Sequence, residues 1–282
     1  MSELSEEHIK EHVARAILED LGNGDVTTNA LIPPTDRTQG LIIARENIVL
    51  CGIAFAQMVF RQLDPKSKFK VFYNDGQNAP EGSRLMTIDC TTEALLTGER
   101  TALNYLQRMS GIASQAAHYV QAITNTGALV LDTRKTTPGW RVIEKYAVQC
   151  GGARNHRRGL DDMIMIKDNH LAAMEGPQKI AAAIKIAREK APDMKIEVEA
   201  DTLIQVKQAA EAGADIILLD NMPPEELSEA IKAIDCRSQA EASGGITLDN
   251  IKEVAKTGVQ YISVGALTHS VRAVDISLEI PL

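Results

Sequence analysis

The sequence is poor in the residue types that several classes of protein require. Aromatic residues make up 4% of its 282 residues, with a single tryptophan, too few for the stacking surfaces that bind single-stranded nucleic acid. Asp and Glu outnumber Lys and Arg by 38 to 30, so the positive charge typical of nucleic-acid-binding proteins is also missing. No apolar run approaches the roughly 20 residues that span a bilayer. We therefore expect neither nucleic acid nor a membrane as a partner.

Cysteine is scarce as well. The four cysteines lie far apart without a C-x-x-C pair, which excludes the spacing of zinc fingers and of thioredoxin-like motifs. A disulfide framework is not expected in a chain of this length. The N-terminal segment MSELSEEHIKEHVARAILEDLG is charged and has the pattern of an amphipathic helix, not of a signal peptide. We therefore expect a cytoplasmic protein with reduced thiols.

What the chain does contain is a concentration of positive charge between Asp132 and His170. Eight Lys and Arg residues stand there against five Asp and Glu, a local charge of +3 in a chain of net charge −8. Clustered like charges are unfavourable unless an anion neutralises them. The segments RKTTPG and GGARNHRRGL add the Gly and Pro typical of a site built on loops. We interpret this stretch as an anion-binding site, with a solvated basic face at 154–158 as the alternative.

The first third of the chain mixes helices and strands without strict alternation, which predicts an α+β unit. Helical spacing of apolar residues predicts a helix over residues 5–21, and GNGDVTTNALIPP has the composition of a loop. Further strands are predicted in GLIIARENIVLCGI, KFKVFYNDG and SRLMTIDC, and further helices over 54–63 and 92–126.

After residue 125, short apolar strands alternate with helices. The strands are ALVLD, MIMIKD, KIEVEA, DIILLD, QAEAS and YISVG, and amphipathic helices are predicted over 177–190, 203–212, 224–234 and 248–257. This alternation predicts a parallel sheet covered on both faces. An open doubly wound sheet is one alternative. We favour a β/α barrel, because no G-x-G-x-x-G follows the first strand and polar residues end nearly every strand.

Those strand-end residues would converge at one face of a barrel. An acidic residue leaving a strand is often only a helix N-cap, which is our interpretation of Asp201 and Asp249; for Asp220 the choice stays open. Glu197 and Glu199 point to the same side of their strand, and a buried pair of this kind needs cations or a metal. The strand-end residues are Asp132, Lys167, Glu199, Asp220, Ser243 and Ser263.

Two late segments have the pattern of phosphate-binding loops. EASGGITLDN turns through Gly244 and Gly245, and YISVGALTHS turns through Gly265, each between a strand and a predicted helix. Small residues let backbone N–H groups approach an anion, and a helix N-terminus adds favourable partial charge. Phosphate sites in β/α barrels often occupy the loops after the last two strands. We therefore predict that a phosphate binds here.

At this point the motifs resemble those of the quinolinate phosphoribosyltransferase family, the carboxylating nicotinate-nucleotide pyrophosphorylases. They are GDVTT, GERTALN, DTRKTTPG, KYAV–CGG–NHR–GL, IKDNH, IEVEA, LLDN, EASGGI, YISVGALTHS and VDISLEI. The resemblance implies an N-terminal α/β (α+β) sandwich domain over 1–110, joined by the tail 270–282, and a C-terminal incomplete parallel β/α barrel over 111–269. It also implies a type II phosphoribosyltransferase. Such an enzyme makes nicotinate mononucleotide, CO2 and pyrophosphate from quinolinate and 5-phosphoribosyl 1-pyrophosphate in de novo NAD biosynthesis.

The resemblance also implies roles for individual residues. Catalysis would involve Lys135, Glu199 and Asp220, and the last two would face the ribose and Mg2+, in part through substrate and water. Residues that would line the quinolinate pocket are Thr133, Arg134, Lys135, His156, Arg157 and Lys167. Residues that would surround the 5′-phosphate are Ser243, Gly244, Gly245, Val264, Gly265 and Ala266.

The family pattern further implies a homodimer in which Arg100 of GERTALN reaches the active site of the partner. The helical context alone would make Arg100 a surface residue. Four positions depart from the usual family pattern: Trp140, Ala153, Arg154 and Arg158.

This set of residues suits the proposed substrates. Arg forks pair with carboxylates bidentately, as a pyridine dicarboxylate needs. Two carboxylates can stabilise a sugar that develops positive charge as pyrophosphate leaves, and Mg2+ prefers oxygen ligands. The rivals are a Schiff-base lyase using Lys167 or Lys135, a paralogue tied to molybdenum uptake, and a non-catalytic anion-binding protein. The TTPG form of the RKTTPG motif and the intact basic and acidic positions favour the transferase. We interpret His170 as an ordinary hydrogen-bonded histidine.

Overall fold

The computed structural model describes residues 4–281, which divide into two units. Unit 1 consists of residues 4–117, 138–152 and 270–281, and unit 2 consists of residues 118–137 and 153–269. The helices are α1 (Glu6–Leu21), α2 (Val26–Leu31), α3 (Ile53–Leu63), α4 (Thr92–Ala122), α5 (Arg141–Cys150), α6 (Asp168–Ala172), α7 (Lys179–Lys190), α8 (Leu203–Glu211), α9 (Pro224–Ile234), α10 (Ile251–Lys256) and α11 (Ala266–His269). The strands are β1 (Arg37–Ala44), β2 (Ile48–Val49), β3 (Lys68–Val71), β4 (Asn78–Ala79), β5 (Arg84–Thr91), β6 (Leu129–Leu131), β7 (Ile164–Ile166), β8 (Ile196–Ala200), β9 (Ile216–Asp220), β10 (Gln239–Ser243), β11 (Tyr261–Ser263) and β12 (Ile276–Glu279).

Unit 1 is built on an antiparallel sheet of order β12-β1-β5-β3. Alternate residues of β1 are buried, as expected for a strand with one face on a core. The end of the chain returns to this sheet, because β12 pairs along β1 from Ile276 opposite Ala44 to Glu279 opposite Leu41. The side-chain amide of Gln107 on α4 donates to the carbonyl of Ile276 and helps to fix this edge strand.

One predicted loop proves to be partly helical. The sequence analysis treated 22–34 as a loop because of its Gly, Asn and Pro residues, but residues 26–31 form α2. Oδ1 of Asp25 accepts hydrogen bonds from the backbone N–H groups of Thr27 and Thr28, at 3.1 and 2.9 Å. A side-chain cap of this kind satisfies donors that the first turn leaves free. The loop prediction is therefore wrong for these six residues.

The segment 138–152 lies in the sequence between the two parts of unit 2 but has its contacts in unit 1. It contains α5, whose buried Glu144 accepts a hydrogen bond from Arg108 at 2.9 Å. The hydroxyl of Tyr146 on α5 donates to Asp75 at 2.9 Å. Both partners belong to unit 1, so polar contacts distant in sequence hold the helix there.

Unit 2 contains one sheet of six parallel strands in the order β6-β11-β10-β9-β8-β7. The outer strands β6 and β7 are not paired with each other in the described structure, so the sheet does not close. An isolated bridge joins Leu131 to Arg154 beside β6. The predicted fold class, an α+β domain and an incomplete parallel β/α barrel, is confirmed.

α4 is 31 residues long but carries charged and polar side chains along its length. Within residues 4–281, no helix combines the length and the apolarity that crossing a bilayer requires.

Asp64 joins three parts of unit 1. One of its oxygens, Oδ2, accepts from Arg37 at 3.0 Å and from the backbone N–H of Thr91 at 3.1 Å, and Oδ1 accepts from the N–H of Lys66 at 2.9 Å. Arg37 also donates to Asp89 at 3.1 Å. Asp64 is buried, whereas the Asp89 side chain is 52% exposed.

These two aspartates form a matched pair for a stability measurement. We expect Asp64→Ala to lower the free energy of unfolding by about 2–3 kcal/mol, because two backbone donors and a guanidinium lose a buried acceptor. Asp89→Ala should have a much smaller effect, because an exposed ion pair contributes little. Urea unfolding of both variants measures the difference. Equal losses would show that Asp64 acts only as a surface partner of Arg37.

Candidate active site

A cavity of about 400 Å³ lies in unit 2 where the strands of the parallel sheet end. It brings together side chains from six strands that are far apart in the sequence, as a parallel β/α sheet does at its C-terminal edge. Its lining residues are Thr133, Arg134, Lys135, His156, Arg157, Met165, Lys167, Glu199, Leu218, Asp220, Glu241, Ser243 and Ser263. Nine of the residues predicted for the site are therefore gathered in one place.

Basic side chains occupy the part of the lining that follows β6 and precedes β8. Arg157 is anchored by its Nη1, which donates to the carbonyl of Met163 at 3.1 Å. Burial, with the nearby charge of Arg134, lowers the pKa of Arg157 from its ordinary value. The Nε of Arg134 is buried and has no hydrogen-bond partner among the described residues. A buried donor without a partner, next to a second guanidinium, is a site prepared for an anion.

Carboxylates occupy the ends of β8 and β9. Lys167 donates to Glu199 at 2.5 Å, and Asp220 accepts from the amide of Asn221 at 2.6 Å. Burial, with the charges of Glu199 and Asp201, raises the pKa of Asp220. One oxygen each of Glu199, Asp201 and Asp220 lies within 4.8 Å of the others. Three carboxylates at this separation offer the hard oxygen ligands that Mg2+ prefers, so these residues fit the predicted ion.

The predicted caps at Asp201 and Asp249 are wrong. The N-cap of α8 is Thr202, whose hydroxyl accepts from the backbone N–H of Gln205. The N-cap residue of α10 is Asn250. Asp201 thus belongs to the acidic group beside Glu199, a position that the sequence analysis had assigned to a structural role.

Below the basic side chains lies a buried group formed by His156, Glu197 and Glu241. The Nε2 of His156 lies 3.1 Å from Glu197 and 3.5 Å from Glu241. Its Nδ1 accepts from the backbone N–H of Arg157 at 2.7 Å, which assigns the ring proton to Nε2. Ser263 donates to Glu241. Both carboxylates are fully buried, and burial, with the charge of Glu197, raises the pKa of Glu241 to about 7.

Glu241 was not predicted. Its strand QAEAS was recognised, but only Ser243 was selected from it. Residues two apart point to the same side of a strand, so the spacing of Glu241 and Ser243 was the available signal. The same rule led to the expectation that Glu197 and Glu199 need basic partners. The structure places Glu197 beside His156 and Glu199 beside Lys167.

The first glycine loop differs from its predicted form. α10 begins at Ile251 and not at 248, because the side chain of Asn250 bonds to the backbone of Thr247 and Gly245 at 2.8 and 2.9 Å and holds a turn. Gly244 has φ +93°, and a Cβ there would lie 2.1 Å from Oδ1 of Asn221. The EASGG loop is therefore a tight turn and not the start of a helix.

The second loop lies next to the basic residues. A Cβ at Gly265 would lie 3.2 Å from Cδ of Lys135, and the hydroxyl of Thr268 donates to the carbonyl of Lys135 at 2.8 Å. Five predicted phosphate residues do not line the cavity themselves: Gly244, Gly245, Val264, Gly265 and Ala266.

Arg100 lies elsewhere in the fold. It is exposed on α4 in unit 1, where it lines a shallow groove with residues of α1, α2 and the loop between them. The four positions that depart from the family pattern do not line the unit 2 cavity. Trp140 stacks on Tyr105 in unit 1, with ring centroids 5.3 Å apart.

Two smaller expectations can be settled from the geometry. The ammonium of Lys167 is held by a carboxylate, which does not suit the neutral amine nucleophile of a Schiff-base lyase. His170 accepts the backbone N–H of Lys167 at 2.9 Å, so its interpretation as an ordinary hydrogen-bonded histidine is confirmed.

Comparison with known proteins covers nearly the whole chain. The family model described as "Quinolinate phosphoribosyl transferase, C-terminal domain" matches residues 112–279. The model described as "Quinolinate phosphoribosyl transferase, N-terminal domain" matches residues 25–110. The chain belongs to the quinolinate phosphoribosyltransferase family.

Individual members of the quinolinate phosphoribosyltransferase family also match nearly the whole chain. Nicotinate-nucleotide pyrophosphorylase (carboxylating) of Mycobacterium leprae is 40% identical over 277 residues, covering 96% of each chain. Quinolinate phosphoribosyltransferase (decarboxylating) 2, mitochondrial, of Nicotiana glauca is 39% identical over 289 residues, covering 96% of this chain and 82% of that protein. The solved structure of nicotinate-nucleotide pyrophosphorylase from Francisella tularensis superposes with a TM-score of 0.93 at 37% identity, covering 99% of this chain and 98% of that one. The family and enzyme class that the motifs predicted are confirmed.

The raised pKa of Glu241 predicts how stability depends on pH in this quinolinate phosphoribosyltransferase family member. The folded protein keeps a proton on Glu241 up to about pH 7, whereas the unfolded chain releases it near the ordinary value of 4.5. The contribution of Glu241 to the free energy of unfolding is therefore fully present below about pH 4.5. It falls by about 3 kcal/mol as the pH rises to 7. Glu241→Gln removes the titration, so its stability should fall less over that range.

Urea unfolding at about pH 5 and about pH 8 measures this difference. Glu229→Gln, at an exposed position on α9, is the matched control and should follow the unsubstituted protein. The same pH dependence in all three proteins would contradict the assignment of the proton to Glu241.

Proposed function

We propose that this chain transfers the phosphoribosyl group of 5-phosphoribosyl 1-pyrophosphate to quinolinate, releasing pyrophosphate and CO2 and forming nicotinate mononucleotide in de novo NAD biosynthesis. The observation that carries the proposal is the unit 2 cavity, in which four basic side chains meet two strand-end carboxylates. Family membership over both domains supports the same reaction. The proposal accounts for the positive charge in a chain whose net charge is −8.

The basic side chains provide a site for the two carboxylates of quinolinate. Arg157 is held in place by the carbonyl of Met163, and the buried Nε of Arg134 is free to donate. Guanidinium groups form paired hydrogen bonds with carboxylates, and these hydrogen bonds are stronger when both groups are shielded from water. Lys135 and Lys167 add charge, so a dianionic ring is favoured over the monoanion nicotinate.

The carboxylates suit the sugar. As the pyridine nitrogen attacks C1 of the ribose and pyrophosphate leaves, the sugar becomes positively charged. Glu199 and Asp220 would then stabilise it electrostatically. They would also hold Mg2+, together with water and substrate, and the ion would neutralise the departing pyrophosphate. Loss of the 2-carboxylate as CO2 leaves its electron pair on C2, where the adjacent cationic ring nitrogen stabilises it until a proton takes the place of the carboxylate.

The glycine loops would receive the 5′-phosphate of the sugar. Ser243 lines the cavity at the end of β10, and Gly244 and Gly245 follow it in a turn. Gly265 lies against Lys135, so the loop from Val264 to Ala266 borders the basic side chains. This arrangement supports a phosphate site next to the strand ends that would bind the ribose.

We further propose that the protein is a homodimer to which Arg100 contributes across the interface. The family resemblance supports the assignment, and the exposure of Arg100 leaves it available to a second chain. We also propose a cytoplasmic location, which is supported by the four cysteines being free thiols.

The direct test is incubation with quinolinate, phosphoribosyl pyrophosphate and Mg2+, with nicotinate mononucleotide and CO2 measured together. We expect equal amounts of the two products. Nicotinate in place of quinolinate is the control for specificity. Product from nicotinate with none from quinolinate would overturn the substrate assignment while leaving the transferase class intact.

Arg157→Ala should raise the KM for quinolinate and lower kcat/KM by about 10²–10³-fold, because a charge-assisted pair with a substrate carboxylate is lost. Steady-state kinetics with each substrate varied in turn measures this loss. Arg158→Ala is the matched control, since Arg158 follows Arg157 in the sequence but does not line the cavity. Similar kinetics in the two variants would argue against a pocket role for Arg157.

Glu199→Gln should lower kcat by about 10²-fold with a smaller effect on KM, because the charge matters most when the sugar is cationic. The measurement is kcat and KM at saturating Mg2+. Glu225→Gln, exposed on α9, should leave both parameters unchanged. A raised KM with an unchanged kcat would instead place Glu199 in ground-state binding alone.

Mixed dimers test the shared site. Arg100→Ala and Lys135→Ala subunits are each expected to be inactive, but a heterodimer of the two contains one intact site and should recover about half of the activity. Differently tagged subunits, purified over both tags, provide the sample. Arg134→Ala paired with Lys135→Ala is the control, because both residues line one cavity. Recovery should occur only in the first pair, and its absence there would refute sharing.

A further inference from the structure

A pair of cysteines that the reaction does not use meets inside unit 1. Cys51 lies between β2 and α3 and is completely buried, and Cys150 is the last residue of α5 and is partly exposed. Their two sulfur atoms lie within 4.8 Å of each other. The sequence contains no C-x-x-C motif, so the fold alone creates this pair.

The neighbouring carboxylate, Asp75, is already fully engaged. Its Oδ1 accepts the backbone N–H groups of Gly52 and Ile53 at 3.0 and 3.1 Å, and its Oδ2 accepts the hydroxyl of Tyr146 at 2.9 Å. A metal ion bound by the two sulfurs would have to displace these donors to recruit Asp75. Structural zinc sites use four protein ligands, and this group offers three. The geometry therefore favours thiol chemistry over a metal site.

The two thiols have different environments. The neighbouring Cys51 thiol, helped by the Tyr146 hydroxyl, lowers the pKa of Cys150. Burial raises the pKa of Cys51 well above its ordinary value. Cys150 is thus the nucleophile that solvent can reach, and Cys51 is a protonated neighbour within reach of it. Redox-sensing cysteines share this arrangement of an accessible thiolate next to a resolving thiol.

We propose that Cys150 and Cys51 are a modification site, a thiol pair that hydrogen peroxide oxidises to an intramolecular disulfide. The Cys150 thiolate attacks one peroxide oxygen, the O–O bond breaks, and hydroxide leaves, which gives a sulfenic acid. The sulfur of Cys51 then attacks the sulfur of Cys150, the S–O bond breaks, and the hydroxyl group leaves as water with the Cys51 proton. Two thiols lose two electrons, and one peroxide is reduced to two molecules of water.

The other cysteines provide internal controls. Cys90 is buried on β5, and burial raises its pKa to about 11, so it should not react. Cys236 is exposed in unit 2 and can react on its own. Cys236→Ser removes that background and leaves three thiols in the full-length chain.

The experiment treats full-length Cys236→Ser protein with hydrogen peroxide, alkylates the remaining thiols under denaturing conditions and maps unreduced peptides by mass spectrometry. We expect a single linked peptide joining Cys51 to Cys150, with Cys90 alkylated, and full recovery of the thiols after treatment with dithiothreitol. Adding Cys51→Ser should leave Cys150 as a sulfenic acid that dimedone traps. Adding Cys150→Ser should abolish oxidation, whereas adding Cys90→Ser should change nothing.

The linked peptide in the Cys236→Ser protein tests the proposal even if one of the further variants fails to fold. Accumulation of sulfenic or sulfinic acid at Cys150 without a link to Cys51 would overturn the proposal. So would a link to Cys90 or unreactive thiols. Stoichiometric zinc binding that protects both thiols from alkylation would also overturn it, in favour of a metal site.

Discussion

The in-register pairing of the parallel strands in unit 2 is the constraint on which the site depends. Ser243 on β10 is opposite Asp220 on β9. Ile166 on β7 is opposite Val198 on β8, so the residues that follow them, Lys167 and Glu199, lie side by side. Side chains alternate between the two sides of a strand, and a slip of one residue would turn every one of them away from the cavity. The apolar residues of these strands, buried in the core, make such a slip costly. The burial of the core thus fixes the positions of the polar residues that follow it.

Charge balance is the second constraint. Lys167 with Glu199, and His156 with Glu197, combine opposite or complementary polar groups that would be unfavourable if buried singly. The balance is incomplete. The Nε of Arg134 is buried without a hydrogen-bond partner among the described residues. A site that leaves a guanidinium donor unmatched can gain from binding an anion. The dicarboxylate of the proposed reaction is such an anion.

The positions of the strand-end residues could be predicted from the sequence, because two local rules give the same answer for them. An apolar run ends where burial ends, and the polar residue at that point must lie at the sheet edge. The sequence was insufficient where position depends on partners distant in the chain. α5 follows a strand, as a barrel helix would, but Arg108 bonds Glu144 from 36 residues away. Asp25 had the residue type and spacing of a cap, which the neighbouring Gly and Pro outweighed. Glu241 was not predicted, because the adjacent Gly pair marked only Ser243 as part of a phosphate loop.

His156 shows why membership of a cavity wall does not define a role. The resemblance implies that it lines the acid pocket, and it does lie in the lining. Yet Nδ1 accepts the backbone N–H of Arg157, and Nε2 faces Glu197 and Glu241. Both ring nitrogens are directed at the protein, so a substrate carboxylate would compete with contacts already made. The ring therefore acts as a support: it accepts from the backbone N–H of Arg157 and faces two buried carboxylates. In the proposed reaction, recognition of the acid would then rest mainly on Arg134 and Arg157.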